Sequence, residues 1–271
     1  KTLDVKKSNA MLLSLRERLL SEFNDETVAD LFLCCLISSS KRKQFDQSLD
    51  YLNINFSNCS LQMANSMKAL MMSANLRPVL IDLNKLVLEQ PIFASKANSF
   101  GIFRFGMIHP AMNSPLILSE FDLPSEALGP TGMSNLNRIG SLVEDQKFWV
   151  SFPENSRVSF CLEVPMISFS DHASGFSFGV KVRMNPAKFN KSPDIPCFSA
   201  EEASALESEI EDARDWLSRI DLSENLANFA QKDFSETRAS DEWGELFTVD
   251  RFLQVIKLSK HLAVLRGSDL V

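Results

Sequence analysis

Few residues in this chain have types and spacing that could do chemistry. An apolar run, Pro115–Leu118, stops at Ser119-Glu120-Phe121-Asp122. A carboxylate at the end of a strand could in principle polarise a water, and Glu120 stands in that position. The histidines, His109, His172 and His261, are scattered. Ser170-Asp171-His172 offers the residue types of a hydrolase triad, but no G-x-S-x-G nucleophile elbow is present, so it reads as a polar loop. The five cysteines (Cys34, Cys35, Cys59, Cys161 and Cys197) form neither a C-x-x-C motif nor a Cys/His cluster. An odd count without ligand spacing points to reduced, buried thiols rather than zinc or disulfides, and no metal site is expected. Phosphate chemistry needs a loop whose backbone N–H groups converge on the anion, and glycine makes such loops possible. There are nine glycines and none before Gly101, so the first hundred residues hold no conventional phosphate-binding loop.

Elements that could position these groups are legible along the chain. Ala10–Phe23 and Glu26–Ser38 carry apolar residues at helical period, with Asn24-Asp25 able to end one helix and cap the next. Lys41-Arg42-Lys43 reads as a solvated turn. Leu49–Phe56 predicts a strand, Leu61–Ala74 a helix, and Pro78–Leu83, Phe100–Ile108 and Pro115–Ser119 further strands. Met133–Asp145 reads as a short helix and loop. Lys147–Phe152 and Arg157–Phe169 flank Pro153–Ser156 as a hairpin, and Phe176–Met184 is a last strand. The proline-rich stretch Asn185–Pro196 looks like a boundary. Beyond it Ala200–Ile220, Leu222–Thr237 and Val249–Arg266 are helical, the first opened by a capping box of Ser199 and Glu202. Interleaved helices and strands followed by a helical tail predict an α/β core over 1–190 and a helical lid over 197–271.

Composition narrows the function. A hydrophobic content of 45% with 23% charge is that of a globular chain able to bury a core. No apolar run reaches the roughly 18–20 residues of a membrane span. A net charge of −7 argues against a surface that grips nucleic acid, because phosphate-binding faces are basic. The aromatic residues between Phe148 and Phe160 could stack bases, but in an acidic chain they read as core or interface packing. A protein partner fits this balance better.

The order of elements resembles an AAA+ ATPase core: strand and helix, a short strand ending in Ser119-Glu120-Phe121-Asp122, a hairpin, another core strand and a helical tail. The tail from Phe247 to Val271 is similar to the lid helix of minichromosome maintenance (MCM) helicase subunits, and Leu116–Asp122 to their Walker B strand. The closer resemblance is to the MCM-binding protein family, degenerate relatives of those subunits. It runs through nearly the whole chain and rests on Leu31–Lys43 ahead of Leu52–Ser60, on Asn113–Phe152 and on the final helix.

The departures from the ATPase pattern decide what the resemblance implies. The Walker A loop would fall on Ser57, Asn58, Cys59 and Ser60, running to Met63, without glycine or lysine. Lys68, further along the helix, reads as a surface lysine. The metal-organising aspartate of Walker B falls on Ser119, while Glu120 and Asp122 keep their places. The sensor arginine of the lid falls on Asp250, which would repel a γ-phosphate, and Arg251 lies about 100° away around the helix. The resemblance therefore implies a degenerate AAA+ (P-loop-like) core with a C-terminal helical lid, no enzyme activity and no cofactor. It also implies nuclear association with MCM helicase subunits in DNA replication, the cell cycle and sister-chromatid cohesion, with no small-molecule substrate. Phe148, Trp149, Trp216, Trp243 and Phe252 are the candidate partner contacts. A divergent ATPase that completes its site with a partner, and a nucleic-acid-binding module, are the competing readings.

Overall fold

The computed structural model describes residues 9–38, 52–90, 92–93, 106–108, 114–151, 157–161, 164–190, 197–220, 224–239 and 248–267. Two helices open it, α1 (Ala10–Phe23) and α2 (Glu26–Ile37). Asn24 ends α1 in the left-handed region at φ 45°, and the Asp25 carboxylate caps α2 by accepting from the amides of Thr27 and Val28. In α1, Leu12, Leu15, Leu19 and Phe23 are buried at helical spacing. Nearly all of α2 from Val28 to Ile37 is buried, as its apolar composition requires.

The central sheet is parallel. Its strands are β1 (Asn53–Ser57), β2 (Val79–Asp82), β3 (Leu116–Ser119), β6 (Met166–Phe169) and β7 (Val180–Arg183), in the order β2-β3-β6-β1-β7. Between them lie α3 (Leu61–Ser73), the single-turn α4 (Lys85–Leu88) and α5 (Pro130–Asp145). The strands β4 (Lys147–Ser151) and β5 (Arg157–Cys161) form a separate antiparallel pair. Alternation divides the strand side chains between two cores. Ile54, Phe56, Ile117, Ile167 and Phe169 pack with α1, α2, α3 and α6, whereas Leu116, Leu118 and Met166 pack with Leu88, Ile139 and Leu142. Burial on both faces makes the inner strands β3 and β6 buried along their whole length, whereas the edge strands β2 and β7 expose alternate residues.

After a 3-10 turn at Pro186–Lys188, the chain forms α6 (Ala200–Leu217), α7 (Glu224–Ala239) and α8 (Val249–Leu265). The Ser199–Glu202 capping box expected at the start of α6 is present. Both α6 and α8 pack directly on α2, and α6 also packs on α1.

Three expectations change. The segment Arg157–Phe169 is not one hairpin arm: β5 ends at Cys161, and Met166–Phe169 is a central parallel strand. Pro165 precedes that strand and offers its carbonyl to the Leu116 amide at 2.8 Å. The short helix expected at Met133 begins earlier, with Pro130 in its first turn, and runs 16 residues. Of the strand expected over Phe100–Ile108, residues 106–108 form a turn and 100–105 lie outside the described residues, as does Lys41-Arg42-Lys43.

Candidate functional site

The carboxyl ends of parallel strands, where neighbouring strands are entered from different directions, are where open α/β sheets hold ligands. Here that place is the end of β1, between β6 and β7. The connection from β1 to α3 is Asn58-Cys59-Ser60, and it is bound down to both neighbours. The Ser57 carbonyl accepts from the Met184 amide at 2.8 Å, and the Ser57 hydroxyl donates to the Val182 carbonyl at 3.3 Å. Asn58 takes φ 54°, a conformation asparagine tolerates, and its side-chain amide donates to the Met184 carbonyl at 2.9 Å. The Cys59 amide donates to the Ser170 carbonyl at 3.0 Å. Ser60 caps α3 with its own hydroxyl, accepting from the Met63 amide at 3.2 Å, so one of the orphan donors that could meet an anion is already used. Cys59 and Met63 are buried, and burial pushes the Cys59 thiol up to about 12.

At the end of β3, Ser119 and Glu120 are each 6% exposed and Asp122 is exposed. The Glu120 carboxylate is fully engaged. It accepts from the Ser168 hydroxyl, from the Ser174 hydroxyl at 2.8 and 3.0 Å and from the Gly175 amide at 3.0 Å. Its backbone amide donates to the Phe169 carbonyl at 2.9 Å. Behind it Asn55, fully buried, donates from its side-chain nitrogen to the hydroxyls of Ser168 at 3.4 Å and Ser170 at 3.1 Å. The Ser170 hydroxyl in turn donates to the His172 carbonyl at 2.7 Å. The donors run outward from Asn55, which fixes the orientation of its amide and leaves its Oδ1 buried without a partner. Asn55, Ser168 and Ser174 were missed in the sequence. The available signal was polar residues alternating with buried apolar ones, Asn53 and Asn55 in β1 and Ser168 and Ser170 along β6.

The remaining candidates are dispersed. Lys68 is not a free surface lysine: its side chain is 12% exposed and its ammonium lies 3.8 Å from Asp82 at the end of β2. Ser170 meets the backbone of His172 rather than its ring, and the His172 side chain is 89% exposed. His261 is buried on α8, its Nδ1 2.7 Å from the Lys257 carbonyl, and His109 lies outside the described residues. Asp250 is exposed in the first turn of α8, where the helix dipole favours an acid, and the Arg251 amide donates to the Thr248 cap at 3.4 Å. Among the described residues no group of three or more His, Cys, Asp or Glu side chains could hold a metal ion. None of the described helices is long and apolar enough to cross a membrane.

Of the aromatic partner candidates, Trp149 is exposed on β4 and lies opposite Ser159. Phe148 is in register with Phe160. Trp216 is half-buried against the core, and Phe252 is half-buried with its ring 4.6 Å from that of Phe234. Trp243 lies outside the described residues. Phe229 on α7, which the sequence did not single out, is 66% exposed.

A family model described as the mini-chromosome maintenance replisome factor matches residues 2–270 of the chain. No curated protein matches it.

Proposed function

The chain belongs to the mini-chromosome maintenance replisome factor family, which makes it an MCM-associated replication factor, and from that premise we propose a non-catalytic adaptor. In this reading the α/β core is a degenerate AAA+ core. It docks on MCM helicase subunits in the nucleus where a neighbouring subunit would sit, and supplies no ATP site of its own. Through that contact it regulates the assembly, stability or chromatin dissociation of the MCM complex, and with them the cell cycle and sister-chromatid cohesion.

The observation that carries the reading is the closed β1–α3 connection. A phosphate loop must leave its backbone donors pointing at open space. Here Cys59 spends its amide on Ser170, Asn58 spends its side chain on Met184, and Ser60 fills a donor of α3. Glu120, the one retained acid that could polarise a water, accepts from three neighbours. The surface offered to a partner includes the exposed Trp149.

Two measurements test this. The full chain should retain MCM subunits in a low-salt pull-down, and a failure to hold any of them overturns the adaptor. Millimolar ATP with Mg²⁺ should leave its melting temperature unchanged. A ligand at a hundred times its Kd would add about 2.7 kcal/mol, several degrees for a chain of this size. A shift of that order would favour a divergent ATPase instead.

A further inference from the structure

The two helices that open the chain are joined by two residues and pack on each other. At 14 and 12 residues they run about 21 and 18 Å, so the start of α1 and the end of α2 come out on the same side of the pair. Those two ends carry opposite partial charges and orphan backbone groups. Neither is fully served locally. Asn9, the N-cap of α1, makes no side-chain cap, and at the end of α2 the Ser38 amide and hydroxyl both serve the one carbonyl of Cys35, at 3.1 and 2.6 Å.

Helix α6 serves both. The Glu209 carboxylate accepts from the amides of Met11 and Leu12, each at 2.9 Å. The Arg214 guanidinium, 5% exposed, donates to the Leu36 carbonyl at 2.8 Å and is steadied by Glu211 at 2.7 Å. Each charge sits at the helix end whose dipole favours it. Five residues of helix separate Glu209 from Arg214, about 7.5 Å of rise, close to the spacing of two packed helices. Between and beside them Leu206, Ile210, Ala213 and Leu217 form the buried stripe of α6. Helix α8 then packs on both α2 and α6.

We infer that Glu209 and Arg214 form a clasp by which α6 closes the open end of the α1–α2 pair, so that α6 and α8 are fixed to the N-terminal helices and do not swing as a lid. The clasp holds whichever partner the chain takes. A fixed tail would present that partner with one constant surface.

Amide hydrogen exchange on the full chain tests it. In Glu209→Ala, the Met11 and Leu12 amides should lose about 2- to 30-fold in protection, the effect of losing a helix cap. The same step should appear across α6 and α2, while Glu207→Ala, on the exposed side of α6, should change nothing. A loss confined to Met11 and Leu12 would overturn the clasp. Should Arg214→Met or Glu209→Ala fail to fold, wild-type exchange in low urea decides instead: α1, α2, α6 and α8 must open together, and an earlier opening of α6 and α8 refutes it. A change in α6–α8 exchange caused by ATP and Mg²⁺ would sink both the fixed tail and the ATP-free adaptor. Independent opening without nucleotide would sink the clasp alone.

Discussion

Replacing Glu22 by methionine should stabilise this protein, and the gain should depend on pH. Glu22, in the last turn of α1, is 2% exposed, and neither carboxylate oxygen has a hydrogen-bond partner. Nearby cations are committed elsewhere. Arg18, one turn earlier, lies 3.6 Å over the Phe198 ring and 3.9 Å from Glu202, and Lys188 pairs with Asp25 at 2.9 Å. Burial therefore holds the Glu22 carboxyl above its ordinary 4.5. The folded state binds this proton more tightly than the unfolded state does. Wild-type stability should then fall as pH rises from 4.5 through the folded pKa, and level off above it. The steepest slope such a single group can impose is about 1.4 kcal/mol per pH unit. Methionine matches the length of the side chain and brings no unsatisfied oxygen. Removing a buried, unpartnered polar group is worth about 1–3 kcal/mol, or about 2–12 °C in melting temperature. Urea unfolding of wild type and Glu22→Met between about pH 4 and pH 8, from just below the ordinary carboxylate value to well above it, reads both terms. The gain should be largest at the upper end and shrink toward the lower. A Glu22→Met variant less stable than wild type at about pH 8, or one with the wild-type pH slope, would refute the reasoning.

Other substitutions probe the rest of the frame. Glu120→Ala strands the Ser168 and Ser174 hydroxyls and the Gly175 amide, and should cost at least about 1.5–3 kcal/mol in urea unfolding, with Glu120→Gln intermediate because its amide offers one acceptor. Asp25→Ala removes the cap of α2 and the Lys188 pair, and should cost about 0.5–2 kcal/mol. Lys188, together with the Thr27 and Val28 amides, holds Asp25 below its ordinary 3.8. That contribution should be present above 3.8 and vanish as pH falls through the lowered folded value, which a denaturation series in acid would follow. Burial pushes the Cys35 thiol up to about 12 and raises Cys34 as well. Peptide mapping after native alkylation should find Cys197, which is exposed, labelled long before Cys34, Cys35 or Cys59.

The parts legible in the sequence were those governed by local chemistry. Helices α1, α2, α3, α6 and α8 announce themselves by apolar period, and α2 and α6 also by Asp25 and Ser199 at their starts, because caps and stripes act within a turn or two. What escaped is mostly non-local. An apolar β-type run from Arg157 to Phe169 does not reveal that it serves two sheets, since a hairpin arm and a buried parallel strand have the same composition. The early start of α5 had a local signal in Pro130, overlooked in placing the start at Met133, and a distant one in Glu89, which accepts from the Gly129 amide at 2.7 Å across 40 residues. The clasp residues of α6 lie 178 and nearly 200 residues from the groups they bind. On the candidate site, the sequence showed that Ser57–Ser60 carry neither glycine nor lysine but left open what those residues bind instead.

The filling has a physical logic. Strand ends at a switch point expose carbonyls and amides that a ligand would otherwise satisfy, and unsatisfied buried groups cost about 1–3 kcal/mol each. Where no ligand does so, the chain must satisfy those groups itself. Asn58 does so for Met184, Cys59 for Ser170, and Ser168, Ser174 and Gly175 do so for Glu120. The bonds of Asn58, Cys59 and Ser168 tie neighbouring strand ends together, and those of Ser174 and Gly175 tie the β6–β7 loop to the end of β3. Placing glycine and lysine at 57–60 would therefore not by itself create a phosphate site: the new loop would first have to break its ties to β6 and β7. The carboxylate of Glu120 would also have to release its three donors before it could orient a water. The absence of glycine from 57–60 and the capture of Glu120 act together, because each leaves fewer free donors and acceptors at this end of the sheet.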